Sequence, residues 1–167
     1  IPQGYDGHIV EVEGDANRGL PAFNIVGMAN KTISESRERV RAALANSGFS
    51  FPTRKVTISL APAELAKDGS HLDLPIALAI LVLSEQLLPQ NITNMLFVGE
   101  LAFDGLIRPD CGIINIVEAA KQAGYTEIYL PKDNLPQAAL IHGIKIFGVS
   151  NLLELFLHLK GQVQLHP

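Results

Sequence analysis

The chain has 167 residues, of which 47% are apolar and 18% charged, and its net charge is −4. This size predicts one domain with a complete core, and the negative charge argues against a domain that traps nucleic acid by overall electrostatics. The one cysteine, Cys111, rules out an internal disulfide and a four-cysteine metal site, and the longest apolar run, 74–83, is too short to span a membrane. We therefore expect a cytoplasmic protein without membrane contact.

The first half of the chain predicts strands around one long helix. Residues 1–7 are rich in turn formers and predict a frayed start, whereas residues 8–13 alternate apolar with polar as a half-buried strand does. Residues 14–19 predict a hairpin loop and 23–26 a second strand. Residues 30–46 predict a helix with one inward face. That face consists of Ile33, Ser36, Val40, Ala43 and Leu44.

The opposite face of this helix carries basic residues interleaved with Glu35 and Glu38, and further basic residues follow shortly after the helix. One interpretation is a solvated face held by ion pairs four residues apart. The other is a basic patch that binds DNA or an acidic partner. The candidate DNA contacts are Arg37, Arg39, Arg41, Arg54 and Lys55.

Residues 56–85 predict a strand, a loop and a strongly apolar helix, the unit in which α/β domains usually keep their chemistry. Asp73, followed by Pro75, is expected to cap this helix. His71 and Asp73 have a spacing that two metal ligands could share, but capping explains Asp73 better.

The second half alternates strands with helices, which predicts βαβ units beside the mixed sheet of the first half. Asp104-Gly105 predicts a hairpin, and Ser150 is expected to cap the last helix. The predicted elements are a strand at 95–102, a helix at 113–123, a strand at 126–130, a helix at 135–141, a strand at 144–149 and a helix at 152–159. We expect residues 1–160 to form the domain and 161–167 a tail or linker.

Several signatures of enzymes are missing from this sequence. It has no G-x-x-x-x-G-K-[ST] loop for a nucleoside triphosphate and no G-x-G-x-x-G after a strand. It has neither H-E-x-x-H nor paired C-x-x-C motifs. We therefore expect no cofactor and no metal in this chain.

Four stretches resemble the N-terminal domain of the ComM/YifB group of magnesium-chelatase-like AAA+ ATPases. They are GLPAFNIVG (19–27), SRERVRAALANSGFSFP (36–52), KDGSHLDLPIALAIL (67–81) and GELAFDGLIRPDCGI (99–113), and the resemblance spans about residues 4–159.

The resemblance implies a Lon-protease-like α/β fold, also described as like domain 2 of ribosomal protein S5. It implies a longer parent protein in which an AAA+ ATPase module, with ATP and Mg²⁺, follows this domain. Proteins of this group are linked to natural transformation as hexameric helicases that drive DNA branch migration. The expected partners are therefore the parent AAA+ ring and, as a further possibility, DNA.

The central unit is also similar to Lon proteases, whose P-K-D-G-P-S-A-G motif carries a nucleophilic Ser that a Lys activates. Matching 67–69 to K-D-G places His71 at the nucleophile, and the second motif places Ile114 at the lysine. Ile114 cannot accept a proton, and a shift of one residue restores Ser70 but not the lysine. The resemblance thus implies a domain without peptidase activity.

The residues of the altered motif then have two interpretations. They either stabilise the loop and the helix start, or they form a remodelled cleft that binds peptide, nucleotide or DNA. The candidates for such a cleft are Lys67, Asp68, Ser70, His71 and Asp73. We expect a non-catalytic accessory domain of a ComM-type protein; the alternatives are an independent DNA-binding module and, less favoured, a residual serine peptidase.

Overall fold

A computed structural model describes residues 2–5, 8–27, 30–61 and 70–167 of the chain. Within these ranges the backbone forms strands and α-helices that alternate along most of the sequence. The strands are β1 Pro2–Tyr5, β2 His8–Asn17, β3 Ala22–Val26, β4 Lys55–Ala61, β5 Met95–Phe97, β6 Glu100–Leu101, β7 Ile107–Arg108, β8 Glu127–Pro131 and β9 Lys145–Val149. The helices are α1 Asn30–Asn46, α2 Asp73–Leu83, α3 Ile113–Gln122, α4 Leu135–Ala138 and α5 Leu152–Leu159.

The first four strands form a mixed sheet in the order β1-β2-β4-β3. β2 runs antiparallel to both β1 and β4, whereas β3 and β4 are parallel and connected by α1. A second sheet, β5-β8-β9, is entirely parallel, with α3 and α4 as its crossovers. The predicted α/β class, mixed sheet and βαβ units are confirmed.

Two predictions for the first half are wrong. Residues 2–5 form a strand instead of a frayed turn because they pair with β2. Residues 14–17 are not a hairpin loop, since they extend β2 and pair with Lys55–Ile58 of β4. β4 therefore lies between β2 and β3, and these two strands are not a hairpin.

The second half differs from its prediction in smaller ways. The predicted strand 95–102 is divided into β5 and β6, because β6 leaves the parallel sheet and pairs with β7 around the Asp104-Gly105 turn. Asn151, not Ser150, caps α5, since its side chain accepts a hydrogen bond from the Glu154 amide at 2.8 Å. The helix predicted at 135–141 is only four residues long.

Helix α2 lies at the centre of the fold, with every residue from Asp73 to Leu81 buried. It packs in the larger core cluster with side chains of the mixed sheet and α1. The inward face predicted for α1 is confirmed, because Ser36, Val40, Ala43 and Leu44 are fully buried, and Ile33 is partly buried and packs against the same cluster. Because α2 is buried on all sides, it needs apolar side chains on every face, which explains the apolar run at 74–83 of the sequence.

The segment after α5 touches the domain through Leu165. Its side chain packs against the larger core cluster, and its amide donates a hydrogen bond to Nδ1 of His158 at 3.1 Å. Within the described parts of the chain, no helix combines the length and the apolar character needed to cross a bilayer.

Candidate functional site

Asp73, the first residue of α2, is fully buried and holds three parts of the chain together. Its Oδ2 accepts hydrogen bonds from Nε of Arg39 at 2.6 Å and from the amide of Leu101 at 3.1 Å. Its Oδ1 accepts from Oγ of Ser36 at 2.7 Å and from a terminal guanidinium nitrogen of Arg39 at 3.2 Å. The carboxylate thus connects α1, α2 and β6 through four donors.

The charges of this pair depend on burial and on these contacts. Burial raises the pKa of Asp73 above its ordinary value, although the hydrogen bonds from Arg39, Ser36 and Leu101 oppose that rise. Burial lowers the pKa of Arg39, but the hydrogen bond and charge of Asp73 outweigh it, so the net direction is upward. All four N–H and O–H groups around the Asp73 carboxylate donate to it, and this geometry fits the ionised form of Asp73.

The predicted capping role of Asp73 is wrong. Leu72 occupies the N-cap position of α2, and no side chain caps the helix there. Asp73 lies one position further along, inside the helix, where its carboxylate points to Arg39 and Ser36. The same contacts argue against a metal site made of His71 and Asp73, because four donors already occupy the carboxylate.

Arg39, which the sequence placed either on a solvated face or among candidate DNA contacts, turns towards the interior. Only 16% of its side chain is exposed, because the guanidinium turns inward to Asp73. Its Nε lies 3.8 Å from Oε1 of Glu100, and another of its nitrogens lies 4.0 Å from Oε2 of Glu35, four residues earlier. Little of this group remains available for a phosphate.

The two loops compared with the Lon motifs meet in the structure. Nδ1 of His71 lies 3.5 Å from Oδ2 of Asp110, and both side chains are largely buried. Asn134 fixes the backbone of Asp110, since its side chain accepts from the Asp110 amide and donates to the Asp110 carbonyl, both at 2.9 Å. The first-motif loop therefore contacts the second through a histidine and an aspartate.

The other residues compared with the two Lon motifs lie near His71 and Asp110 in the sequence. Ser70 is half-buried and begins the short 3₁₀ turn Ser70–Leu72. Ile114, at the position compared with the catalytic lysine, lies in the first turn of α3 and is 48% exposed. Lys67 and Asp68 lie outside the described residues, so their candidate roles stay predictions.

Four of the five candidate DNA contacts surround the beginning of β3. Arg37 donates a hydrogen bond to the Phe23 carbonyl at 3.1 Å, and the guanidinium of Arg41 lies 4.6 Å from the Phe51 ring centre. Lys55 pairs with Ala22 in the sheet, and the carbonyl of Arg54 accepts from the Ala22 amide at 3.4 Å. The structure thus separates Arg39 from the other four basic residues.

The sequence patterns did not predict the Arg39–Asp73 pair, although polar residues among the apolar positions of both helices indicated a buried polar contact. Ser36 interrupts the apolar face of α1, and Arg39 follows it three residues later, on an adjacent part of the helix surface. Asp73 similarly stands at the start of an apolar run. Polar residues among buried positions require partners, but the sequence did not show that these partners were each other.

The comparisons with known proteins identify the family of this chain. A family model described as subunit ChlI of Mg-chelatase matches residues 12–134. The chain is 42% identical over 98% of its length to an uncharacterized protein of Mycobacterium tuberculosis. It is 37% identical over 97% of its length to the competence protein ComM of Haemophilus influenzae, and 39% identical over 92% to YifB of Escherichia coli.

The chain spans about a third of the length of these relatives, namely 32% of the first two and 30% of YifB. It is also similar, more distantly, to a Lon protease of Methanosarcina barkeri, with 29% identity over 77% of the chain. The Lon protease 2 of Bacillus subtilis is 28% identical over 87%. These similarities and the mixed α/β architecture support the predicted Lon-like fold. The chain therefore belongs to the Mg-chelatase-like family that includes ComM and YifB, as its motifs predicted.

Proposed function

We propose that this chain is a non-catalytic accessory domain of a ComM-type AAA+ protein that drives branch migration of recombining DNA during natural transformation. The family membership supports the general role, and the name of the Haemophilus influenzae relative links that protein to competence. The domain supplies a rigid body that shapes the AAA+ ring or controls access to it.

The observation that carries the non-catalytic role is Ile114, which lies exposed in the first turn of α3 at the position compared with the lysine and cannot accept a proton. A Ser–Lys peptidase needs an amine within hydrogen-bond reach of a hydroxyl, and the two motif loops are close enough to provide such a pair. In this chain the two loops meet through the imidazole of His71 and the carboxylate of Asp110, and no amine stands at the position compared with the lysine. The neighbouring Asp73 is fully occupied by structural hydrogen bonds.

The cofactors and partners of this proposal belong to the parent protein. ATP and Mg²⁺ bind the AAA+ module outside this chain, and the domain needs no cofactor of its own. Its partner is the parent ring, which we expect to be a hexamer in the cytoplasm. Among the side chains that the structure describes, no three histidine, cysteine, aspartate or glutamate residues form a group that could hold a metal ion.

The test compares peptidase and branch-migration activity in the full-length protein. We expect no turnover of an unfolded protein substrate by the wild type, by Ser70→Ala or by His71→Ala, while ATP-dependent branch migration of a four-way junction requires the domain. Peptidase turnover that Ser70→Ala abolishes would refute the non-catalytic role. Unchanged branch migration by a soluble, ATPase-active protein without residues 1–160 would refute the accessory role.

A second function, direct DNA binding, is favoured by the grouping of Arg37, Arg41, Arg54 and Lys55 around the start of β3. Electrostatic binding of this kind weakens steeply with salt. Gel shifts with single-stranded and forked DNA at low and high salt test it, using Arg54→Glu with Lys55→Glu. The matched control reverses the exposed Lys132 and Lys160, which lie elsewhere in the fold. No binding at low salt, or equal loss in the control, would refute this function.

A further inference from the structure

A preformed cleft of about 450 Å³ lies between α1 and the β6–β7 hairpin. Its apolar lining consists of Leu101, Ala102 and Phe103. Leu101 and Ala102 are buried, whereas Phe103 is 57% exposed although it is large and apolar. An exposed aromatic ring at the wall of a cleft is typical of a surface that a partner covers.

The hairpin is held in place from both sides. Nδ2 of Asn46, at the end of α1, donates to the Phe103 carbonyl at 2.7 Å. The amide of Leu152, at the start of α5, donates to the Gly105 carbonyl at 2.9 Å. The Leu101 amide is bound to Asp73. A partner would therefore meet a wall that is already ordered, which reduces the entropy cost of binding.

The charges around this apolar surface have one predominant sign. The carboxylates of Glu35, Glu38, Glu100 and Asp104 line the cleft together with two guanidinium groups. One of these, that of Arg39, pairs with buried Asp73 and also lies 3.8 Å from Glu100 and 4.0 Å from Glu35. The four carboxylates of the lining still outnumber its two guanidinium groups, those of Arg39 and Arg108. The cleft is complementary to a cation that also has a flat or apolar surface.

We propose that this cleft binds an arginine-containing segment of a protein partner. A guanidinium group can form paired hydrogen bonds with a carboxylate and stack on an aromatic face, whereas an ammonium group does neither as well. Apolar residues beside the arginine would cover Phe103. This proposal extends the accessory role, and its surface adjoins the basic residues around β3, because Glu38 lines both this cleft and the pocket beside Arg37 and Arg41.

The test uses a blocked pentapeptide with arginine between two leucines and a matched peptide with glutamine instead. Each is titrated into the ¹⁵N-labelled chain, and amide shifts of Phe103, Asp104 and Gly105 are followed by NMR. We expect the arginine peptide to move these signals and to bind about tenfold more tightly than the glutamine peptide.

Variants separate the cleft from other surfaces. Phe103→Ala and Glu38→Gln, both at exposed positions, should each weaken the arginine peptide about three- to tenfold. Leu140→Ala and Glu118→Gln, which change exposed residues outside the cleft, should leave its affinity unchanged. No shift at Phe103, equal affinity for the two peptides, or shifts produced instead by forked DNA would overturn the proposal. The assay measures binding to the domain alone, so a failure here is distinguishable from a failure of the accessory role.

Discussion

Nε of Arg39 lies 2.6 Å from Oδ2 of Asp73, although 34 residues separate them in the sequence. This pair joins the middle of α1 to the first turn of α2, and Leu101 attaches β6 to the same carboxylate. The pair thus lies between the 3₁₀ turn Ser70–Leu72, which directly precedes α2, and the hairpin that forms the cleft wall. Its role in this chain is to fix the relative positions of these elements.

Replacing Asp73 by alanine should lower the free energy of unfolding by about 3 kcal/mol, because it leaves the largely buried guanidinium of Arg39 without its carboxylate. A helix cap would account for only about 1 kcal/mol. Urea unfolding followed by circular dichroism measures the difference. Asp104→Ala, at an exposed turn position, is the control and should cost much less. A loss near 1 kcal/mol for Asp73→Ala would contradict the ion-pair role.

Ser36→Ala should cost about 1 to 2 kcal/mol, because the fully buried hydroxyl donates to Asp73 at 2.7 Å. Ser34→Ala provides a matched control on the same helix, since Ser34 is exposed. Alanine has the higher helix propensity, so the control should be neutral or slightly stabilising. Equal unfolding free energies for the two variants would show that the Ser36–Asp73 hydrogen bond contributes little.

Local sequence patterns were sufficient for most elements but not for long-range partners. The apolar spacing of α1 predicted its buried face, and the alternation of strands and helices predicted the parallel units. The order β2-β4-β3 could not be read from the sequence, because the Gly14–Asn17 segment contains turn formers yet pairs with β4. Arg39 looked like a surface residue because its spacing matches the charged face, whereas a buried carboxylate on another helix determines its direction.

Gly105→Ala should destabilise the chain by about 2 kcal/mol or more. Gly105 has φ +93°, which disfavours a side chain, and a Cβ there would lie 2.5 Å from Oγ of Ser47. Gly124→Ala is the control, because its φ is +87° but nothing lies within 4 Å of its added Cβ. The control should show the backbone cost alone, about 1 kcal/mol. Thermal unfolding of both variants tests this, and equal losses would mean that Ser47 simply moves aside.

Asn134→Ala should lower the free energy of unfolding by about 2 kcal/mol, because it removes two hydrogen bonds to the backbone of Asp110 and leaves both polar groups without their partner. The change should also loosen the Asp110 loop, so amide hydrogen exchange at Asp110 should become faster. Gln137→Ala serves as the control, since Gln137 is exposed and only its Oε1 reaches Asn134, at 3.4 Å.

If Asn134 only fills space, Asn134→Leu would restore stability and leave exchange at Asp110 slow. If instead it positions Asp110 against His71, the leucine variant should exchange as fast as the alanine variant, and the His71 ring signals should shift in both.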